Sequence, residues 1–426
     1  MIDLTPTPSS LLKALSTVAR WALGLVLAAW LAFGLAWGAL HWLIVPRIGE
    51  LRPYVETRAT QALGVPVRIE SINAFSTGMM PSFEFIDVRL FDPQGREALH
   101  LPRVLAALSP RSLMRLGFEQ LYVERPQLSV RRSLDGKIRV AGLDFSASGE
   151  PDSGAADWFF SQLEFVIRDG KVQWTDELRA APTLALAQVD LVVRNHGRRH
   201  ELRLDATPPA LWGDRFSVRG LLTQPLLSLQ KSQWQEWSGQ LYGTFDRVDV
   251  SELRRHADLG IDLHQGSGAL RAWVDLSRGQ IVGGAADVAL SSVSVTLGPD
   301  LEALKLQSVR GRLSGRALAS GFEFATQSLA FDTQEGVSWP GGNVRIMHMG
   351  AEGKIAARGE FKADQLNLTA LAQIANRLPI DAHSRTLLMA YAPKGLVDQI
   401  QASWKGPLGS FSQFEAKGRV SQLELV

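Results

Sequence analysis

An uncharged stretch near the N-terminus restricts most strongly how this chain can fold. Residues 21–45 contain no Asp, Glu, Lys or Arg, and His41 is their single ionisable side chain. As a helix these residues extend about 37 Å at 1.5 Å per residue, which spans a bilayer with some tilt. A secretory signal peptide has a shorter apolar region, of about 7–15 residues. Trp21 and Trp42 stand near the ends of the stretch, where interfacial rings are favoured, so we predict an uncleaved transmembrane anchor.

The charges around this anchor bear on its orientation. The tail at 1–20 carries Lys13 and Arg20 against Asp3, and a short basic tail normally stays in the cytoplasm. Basic residues after the anchor alternate with glutamates and weakly oppose this choice. We therefore expect a cytoplasmic tail, one crossing of a bacterial inner membrane and a periplasmic location for the bulk of the chain.

Small residues inside the anchor raise the question of a helix partner. Gly34 and Gly38 form a G-x-x-x-G spacing, which allows two membrane helices to approach closely. The same spacing is common in any membrane helix rich in alanine and glycine. Association with another helix is therefore one of two open interpretations.

The composition excludes several classes of protein. A formal net charge of +2 over 426 residues gives no basic footprint for nucleic acid, so we expect no nucleic-acid partner. The absence of cysteine excludes disulfides, thiolate metal sites and a cysteine nucleophile. Common catalytic motifs are missing, and His196 and His200 flank a predicted turn, where we expect them to be solvated. We predict no enzyme, no catalytic residue, no cofactor and no metal site.

Most of the remaining sequence alternates between apolar and polar residues. About twenty such runs occur, without helices between them, and this pattern predicts a mostly β fold with a long, curved, mainly antiparallel sheet. Helical spacing appears at 47–64, where an amphipathic juxtamembrane helix should end at Gly64, and again near 109–117 and 367–378. A sheet with one apolar face and few covering helices favours an apolar-lined groove.

Two predicted hairpins place a set of side chains on that apolar face. Asp169-Gly170 is a strong two-residue turn signal, and it would place Ile167 opposite Val172 and Phe165 opposite Trp174. A second turn over 195–198 would place Leu191 opposite Leu202. The candidate groove-lining residues are Phe165, Ile167, Val172, Trp174, Val189, Leu191, Leu202 and Leu204.

The chain divides into segments at changes of pattern. After the helix at 47–64, a mixed β and helical segment runs over 65–145. A stretch rich in Gly, Ser and Asp at 146–157 is a predicted loop or boundary, and repeated hairpins fill 158–426. Because the last residues lie within an alternating strand, we expect the chain to be part of a longer protein.

Several segments together resemble the AsmA-like family, most closely its YhdP branch. They are the anchor, the helix ending in QALGVPVRIESI, and the later FEQLYVERPQLSVRRSLDGKIRVAGL and WQEWSGQLYGTFDRVDVSELR. The resemblance implies a bridge-like lipid transfer protein, with phospholipid as its ligand and a groove between the inner and outer membranes. The alternative is an anchored envelope scaffold, or an assembly factor for outer-membrane proteins, that binds other envelope proteins without transferring lipid.

Overall fold

The computed structural model describes most of the chain. The described residues are 10–39, 42, 45–75, 82–91, 95, 97–109, 112, 117–141, 143–144, 154–226, 228, 233–256, 262–353, 356–380, 382–408 and 411–424. Over these residues a single sheet of 21 strands accounts for most of the structure, and a few short helices and one long helix accompany it. The prediction of a mostly β fold with a long, mainly antiparallel sheet is confirmed.

The N-terminal helix α1 spans Ser10–Ala39. Its part Leu15–Ala39 is long and apolar enough to cross a membrane. Gly34 lies on an exposed part of α1, and Gly38 lies against the ring of Trp42. Residues 40, 41, 43 and 44 of the predicted anchor lie outside the described residues.

Five shorter α-helices follow among the described residues. The juxtamembrane helix α2 is Arg52–Leu63, with Pro53 in its first turn and Gly64 ending it at a φ of 74°, so the predicted stop is confirmed. Asn367 caps the predicted helix near 367–378 by accepting from the amide of Ala370 at 3.0 Å. Most of the predicted helix at 109–117 lies outside the described residues. The remaining helices are α3 (Gly154–Ser161), α4 (Val250–His256), α5 (Leu368–Ile374) and α6 (Ala382–Tyr391).

The strands are long in the second half of the chain. Their bounds are β1 Val67–Phe75, β2 Ser82–Phe91, β3 Glu97–Ala107, β4 Gln120–Glu124, β5 Gln127–Arg132, β6 Ile138–Val140, β7 Leu143–Asp144, β8 Glu164–Asp176, β9 Leu184–His196, β10 Arg199–Thr207, β11 Phe216–Thr223, β12 Ser238–Asp249, β13 Asp262–Ser277, β14 Gln280–Thr296, β15 Leu304–Leu318, β16 Gly321–Thr333, β17 Ser338–Trp339, β18 Val344–Met349, β19 Arg358–Asn367, β20 Lys394–Lys405 and β21 Gln413–Glu424. Neighbours pair antiparallel, except that β8 pairs in parallel with β4 and β5.

The predicted hairpin at Asp169-Gly170 is wrong, because β8 continues through these residues. On one side β8 pairs with β9, and on the other it pairs with β4 and then β5. The bend between β4 and β5 matches a bulge in β8: the amide of Arg125 donates to the carbonyl of Arg168 at 2.8 Å, and that of Lys171 donates to the carbonyl of Pro126 at 2.9 Å. Asp169 takes a positive φ of 49° as part of this bulge. The bulge thus lets β8 follow the bend between β4 and β5 while it remains extended.

The second predicted hairpin is present with a different register. Gly197 and Arg198 form the turn, so Leu202 lies opposite Val193 and Leu204 lies opposite Leu191. The predicted pairing of Leu202 with Leu191 is therefore wrong by two residues. Because side chains alternate with a period of two, a two-residue shift leaves every side chain on its predicted face.

Residues with positive φ angles interrupt the regular backbone of several strands across the sheet. Positive φ angles occur at Gln188 in β9, Ser292 in β14, Ser328 in β16 and Gln399 in β20. Neighbouring side chains satisfy some of the affected amides: the amide of Ser328 donates to Asn343 Oδ1 at 2.9 Å. Such bulges bend and twist their strands, which gives the sheet its curvature.

Candidate functional site

An unbroken row of apolar residues crosses one face of the sheet. Each member is the direct partner of the next in the neighbouring strand, and the row includes every strand except β5, β6, β7 and β17. We call it the first row. In order, it comprises Ala74, Phe83, Ala106, Leu121, Phe165, Val193, Leu202, Gly220, Leu241, Val274, Gly284, Gly315, Phe324, Ile346, Phe361, Ala402 and Ala416.

A second row lies two residues along each strand on the same face. Its one polar member is Thr326, which is buried and whose hydroxyl oxygen accepts from the amide of Val344 at 3.1 Å. We call the two rows together the floor. The second row comprises Ile72, Phe85, Val104, Val123, Ile167, Leu191, Leu204, Val218, Gly243, Ala272, Ala286, Leu313, Thr326, Val344, Ala363 and Ile400.

The opposite face of the sheet is charged. Residues between the floor positions form cross-strand ion pairs there, including Arg194 with Glu164 at 3.0 Å and Arg345 with Glu323 at 2.8 Å. Such exposed pairs contribute little stability, typically about 0–1 kcal/mol each. They show that this face is the solvated one, so the two faces differ sharply in chemistry.

Helices cover the floor near the anchor. The first hydrophobic core joins β1 to β4 and β8 with apolar residues of α2 and α3, among them Val55, Ala59 and Trp158. Phe159 of α3 packs its ring against that of Phe165, with centroids 4.6 Å apart. Floor residues in this part are therefore mostly buried by other side chains.

From β10 onward the floor is only partly covered. Leu202, Leu204, Val218, Leu241 and Val274 are half-buried, in contrast to the buried floor residues of β3 and β4. A sandwich with a filled core would bury them fully. The middle of the floor is therefore an apolar surface that is open to an apolar ligand.

The two long edges of this open floor differ. At one edge α4 and α5 pack onto the ends of β12 to β16 and β19 in a second core that contains Val250, Leu290 and Ile374. We call this the closed rim. The other edge, formed by the turns between β9 and β10, β13 and β14, β15 and β16 and β20 and β21, is the open rim. Ile281, Phe322 and Phe414 lie near it and are 67%, 39% and 61% exposed.

Buried polar groups mark the boundary between covered and open floor. Asn195 Nδ2 donates to the carbonyl of Gln162, just after α3, at 2.8 Å, and Asn195 Oδ1 lies 2.7 Å from His200 Nδ1. The ring of His200 stacks on that of Trp237 at 3.7 Å, and Phe160 of α3 packs on Trp237. These contacts attach α3 to β9, to β10 and to Trp237, the residue that precedes β12. The expectation of a solvated histidine holds for the exposed His196 and is wrong for His200, which α3 and Trp237 bury.

The eight residues predicted to line the groove lie on the floor face, but in three environments. Ile167 and Val189 are buried, and Phe165 and Leu191 pack against the first core. Val172 and Trp174 are half-buried and lie opposite Leu186 and Leu184. Leu202 and Leu204 belong to the open floor.

Most residues of the open floor were not predicted from the sequence. Leu241, Val274, Leu313 and Phe324 lie in the alternating runs that predict the sheet, and they are not among the predicted groove-lining residues. Their alternation with polar residues already indicated one apolar face. What was missing was the register between strands, which puts these residues into one row.

Comparison with known proteins agrees with this architecture. A model of the YhdP protein family matches residues 5–425. The chain belongs to the YhdP family. The resemblance noted in the sequence is thereby confirmed. A curated relative in this family is the intermembrane phospholipid transporter YhdP of Escherichia coli strain K12, which is 22% identical over 348 residues.

The relative is much longer than this chain. The alignment covers 81% of this chain and 26% of the Escherichia coli YhdP protein, so the chain spans about a quarter of that relative. No solved structure matches the chain.

Proposed function

We propose that this YhdP-family chain is an inner-membrane-anchored, periplasmic part of a lipid conduit that moves phospholipid between the inner and outer membranes. The observation that carries the proposal is the first row, an unbroken apolar path that runs across the strands and is half-exposed from β10 onward. The printed name of the Escherichia coli relative, an intermembrane phospholipid transporter, supports the same ligand class.

The floor can hold acyl chains for a simple physical reason. Transfer of apolar surface from water stabilises the bound state by about 0.8 kcal/mol per CH₂ group. Neighbouring strands lie about 4.8 Å apart, so the whole row extends about 80 Å along the sheet. A lipid can thus shift from strand to strand without its chains leaving an apolar surface.

In this proposal the anchor holds one end of the apolar path next to the inner membrane. Helix α1 and the helix α2 that follows it bring the covered end of the floor close to one membrane. Gly34 and Gly38 remain a proposed contact surface for a second membrane helix. Reporter fusions after Ile48 test the orientation: periplasmic reporters should be active there, and cytoplasmic reporters should be silent.

Two substitutions in one strand test the conduit. Val274 lies on the open floor of β13, whereas Ala269 of the same strand is exposed on the charged face. A carboxylate on the floor would be poorly solvated beside acyl chains. We expect Val274→Asp protein to stay folded and to copurify with much less phospholipid, measured by mass spectrometry, while Ala269→Asp protein keeps its lipid.

The scaffold alternative gives a different result. If the wild-type chain copurifies with no phospholipid, or if Val274→Asp protein keeps as much lipid as Ala269→Asp protein, the floor is not a lipid surface. An anchored scaffold for envelope proteins would then be the better explanation.

A further inference from the structure

A third row of residues continues the floor towards the open rim in the last strands of the sheet. Its members are direct partners across β16, β18, β19, β20 and β21, and they are Phe322, His348, Gly359, Trp404 and Phe414. Each lies two residues from a member of the first row on its strand, and the alternation of side chains therefore places it on the floor face. We call these five residues the rim row.

Aromatic rings fill the rim row. The ring of His348 is nearly parallel to that of Trp404, with centroids 6.3 Å apart. The indole of Trp404 lies over Gly359, in the space that a side chain would occupy. Phe411 packs between Trp404 and Phe414, with its centroid 5.5 Å and 6.0 Å from theirs. Aromatic rings that carry a polar atom favour the boundary between an apolar phase and water, so the rim row marks the level at which the floor meets solvent.

Two ring nitrogens of the rim row have no hydrogen-bond partner. Trp404 is 6% exposed, and its Nε1–H has no acceptor among the described residues. The buried Nδ1 of His348 likewise has no partner within the part of the chain that the structure describes. A buried polar group without a partner is unfavourable, and an oxygen atom supplied by a ligand would remove this cost for the indole N–H.

The surroundings of Trp404 on the floor face favour a neutral acceptor. The first-row residues beside it, Phe361 and Ala402, are apolar. The nearest cations along the two strands, Arg358 and Lys405, lie on the charged face, because each is one residue away from a rim-row position. An anionic group at the indole would lose its water without gaining a cationic partner, whereas a carbonyl oxygen carries no such cost. In a phospholipid the neutral acceptors next to the acyl chains are the ester carbonyl groups.

We infer that the rim row binds an ester carbonyl group of a phospholipid whose acyl chains lie on the floor. The inference rests on the proposed function and adds an orientation to it. Trp404 Nε1–H donates to the carbonyl oxygen, the ring of Phe414 packs against the start of the chains, and the phosphate stays in water beyond the open rim. Because α4 and α5 fill the closed rim, the chains enter the floor from the open rim.

The test compares two lipids that share their headgroup and hydrocarbon chains and differ in the ester carbonyls. Dioleoyl phosphatidylglycerol and its dioleyl ether analogue are added to the purified full chain, and their affinities are measured by native mass spectrometry. The wild type should bind the ester lipid more tightly than the ether lipid. In Trp404→Phe protein, which keeps a ring and loses the donor, the ester lipid should bind about two- to tenfold more weakly, the size of one hydrogen bond. Binding of the ether lipid should be unchanged.

A matched control makes the same substitution on the opposite face. Trp273 of β13 lies on the charged face, where the guanidinium of Arg312 covers its ring at 4.8 Å. Trp273→Phe protein should keep the wild-type preference for the ester lipid. His348→Phe removes the second unpaired nitrogen and should lower the preference, which tests the site even if Trp404→Phe protein does not fold.

The contrary outcomes separate this inference from the proposed function. If the wild type binds both lipids equally, or if folded Trp404→Phe protein keeps the wild-type preference, the rim row is not an ester site, although the floor still binds lipid. Equal weakening of both lipids in Trp404→Phe protein would show that the indole contributes packing alone, which also overturns the inference. If the wild type binds neither lipid, the proposed function itself fails.

Discussion

Glu56 Oε1 accepts a hydrogen bond from the backbone amide of Ile69 at 2.8 Å, so a side chain of α2 occupies a position that a neighbouring strand would otherwise take. Thr60 does the same for the amide of Val67 at 3.0 Å, and Arg52 donates to the carbonyl of Glu70 at 3.0 Å. Together these contacts cap the outer edge of β1. An uncapped edge strand invites pairing with another chain.

Glu56→Ala should therefore have two effects. Loss of the acceptor should lower the free energy of unfolding by about 1 kcal/mol, and the released edge should promote self-association, visible as larger species in size-exclusion chromatography. Glu50→Ala, which changes an exposed glutamate just before α2, is the control. Equal behaviour of the two variants would show that the cap does not protect the edge.

Asn195 is expected to hold α3 in place. Its side chain joins the carbonyl of Gln162 to the ring of His200 in a buried setting, so Asn195→Ala removes both of these buried hydrogen bonds. We expect a loss of about 1–3 kcal/mol in the free energy of unfolding, measured by urea denaturation. His196→Ala changes an exposed residue one position away and should have little effect. A similar loss in both variants would contradict this role.

Gly359 leaves room for the ring of Trp404. A Cβ at this position would lie 2.1 Å from that ring, whereas a Cβ at Gly315, also on the floor, would have its nearest neighbour at 3.9 Å. Gly359→Ala should displace the indole and cost about 1–3 kcal/mol, with a change in tryptophan emission. Gly315→Ala should be nearly neutral. An unchanged stability in Gly359→Ala protein would mean that the ring moves aside without cost.

The carboxylate of Glu84 should make stability depend on pH. Hydrogen bonds from Asn73 and Arg103 lower its pKa below the usual value. A lowered folded-state pKa stabilises the protein above the unfolded-state pKa, and this contribution disappears as the pH falls through the folded-state pKa. The stability difference between wild-type and Glu84→Gln protein should be largest near pH 7 and shrink towards pH 3, as followed by urea denaturation.

The matched control for this pH dependence is Glu97→Gln, since Glu97 is exposed on the next strand. Its stability difference from the wild type should change less with pH. If the stability difference between wild-type and Glu84→Gln protein grew as the pH fell, the ionised carboxylate of Glu84 would not be the stabilising form.

Local sequence signals predicted much of the fold because their causes are local. Gly64 and Asn367 end and begin helices through their own backbone and side-chain preferences. The Gly197-Arg198 turn forms close to its predicted position. The face of each strand also followed from alternation alone, and for this reason Leu202 and Leu204 lie on the floor although their predicted partners were wrong.

The remaining errors have non-local causes. The partners that keep β8 extended through Asp169 are β4 and β5, which lie about 40 residues earlier in the chain. No pattern near Asp169 reveals them. The same holds for Ile167: its alternation fixes its face, but its burial depends on how α2 and α3 pack over β1 to β8. Sequence periodicity predicts the face of the sheet on which a side chain lies. Whether that side chain is buried depends on which other elements pack over that face.

The direction of the first row has a consequence for how such a structure can change in size. The row crosses the strands, so each additional hairpin lengthens it by two strand spacings, about 10 Å. The width of the floor depends instead on the number of residues in each strand. Length and width are therefore set by separate features of the gene, so that duplicating a hairpin would extend the reach of the protein in even increments while leaving the cross-section of the path unaltered.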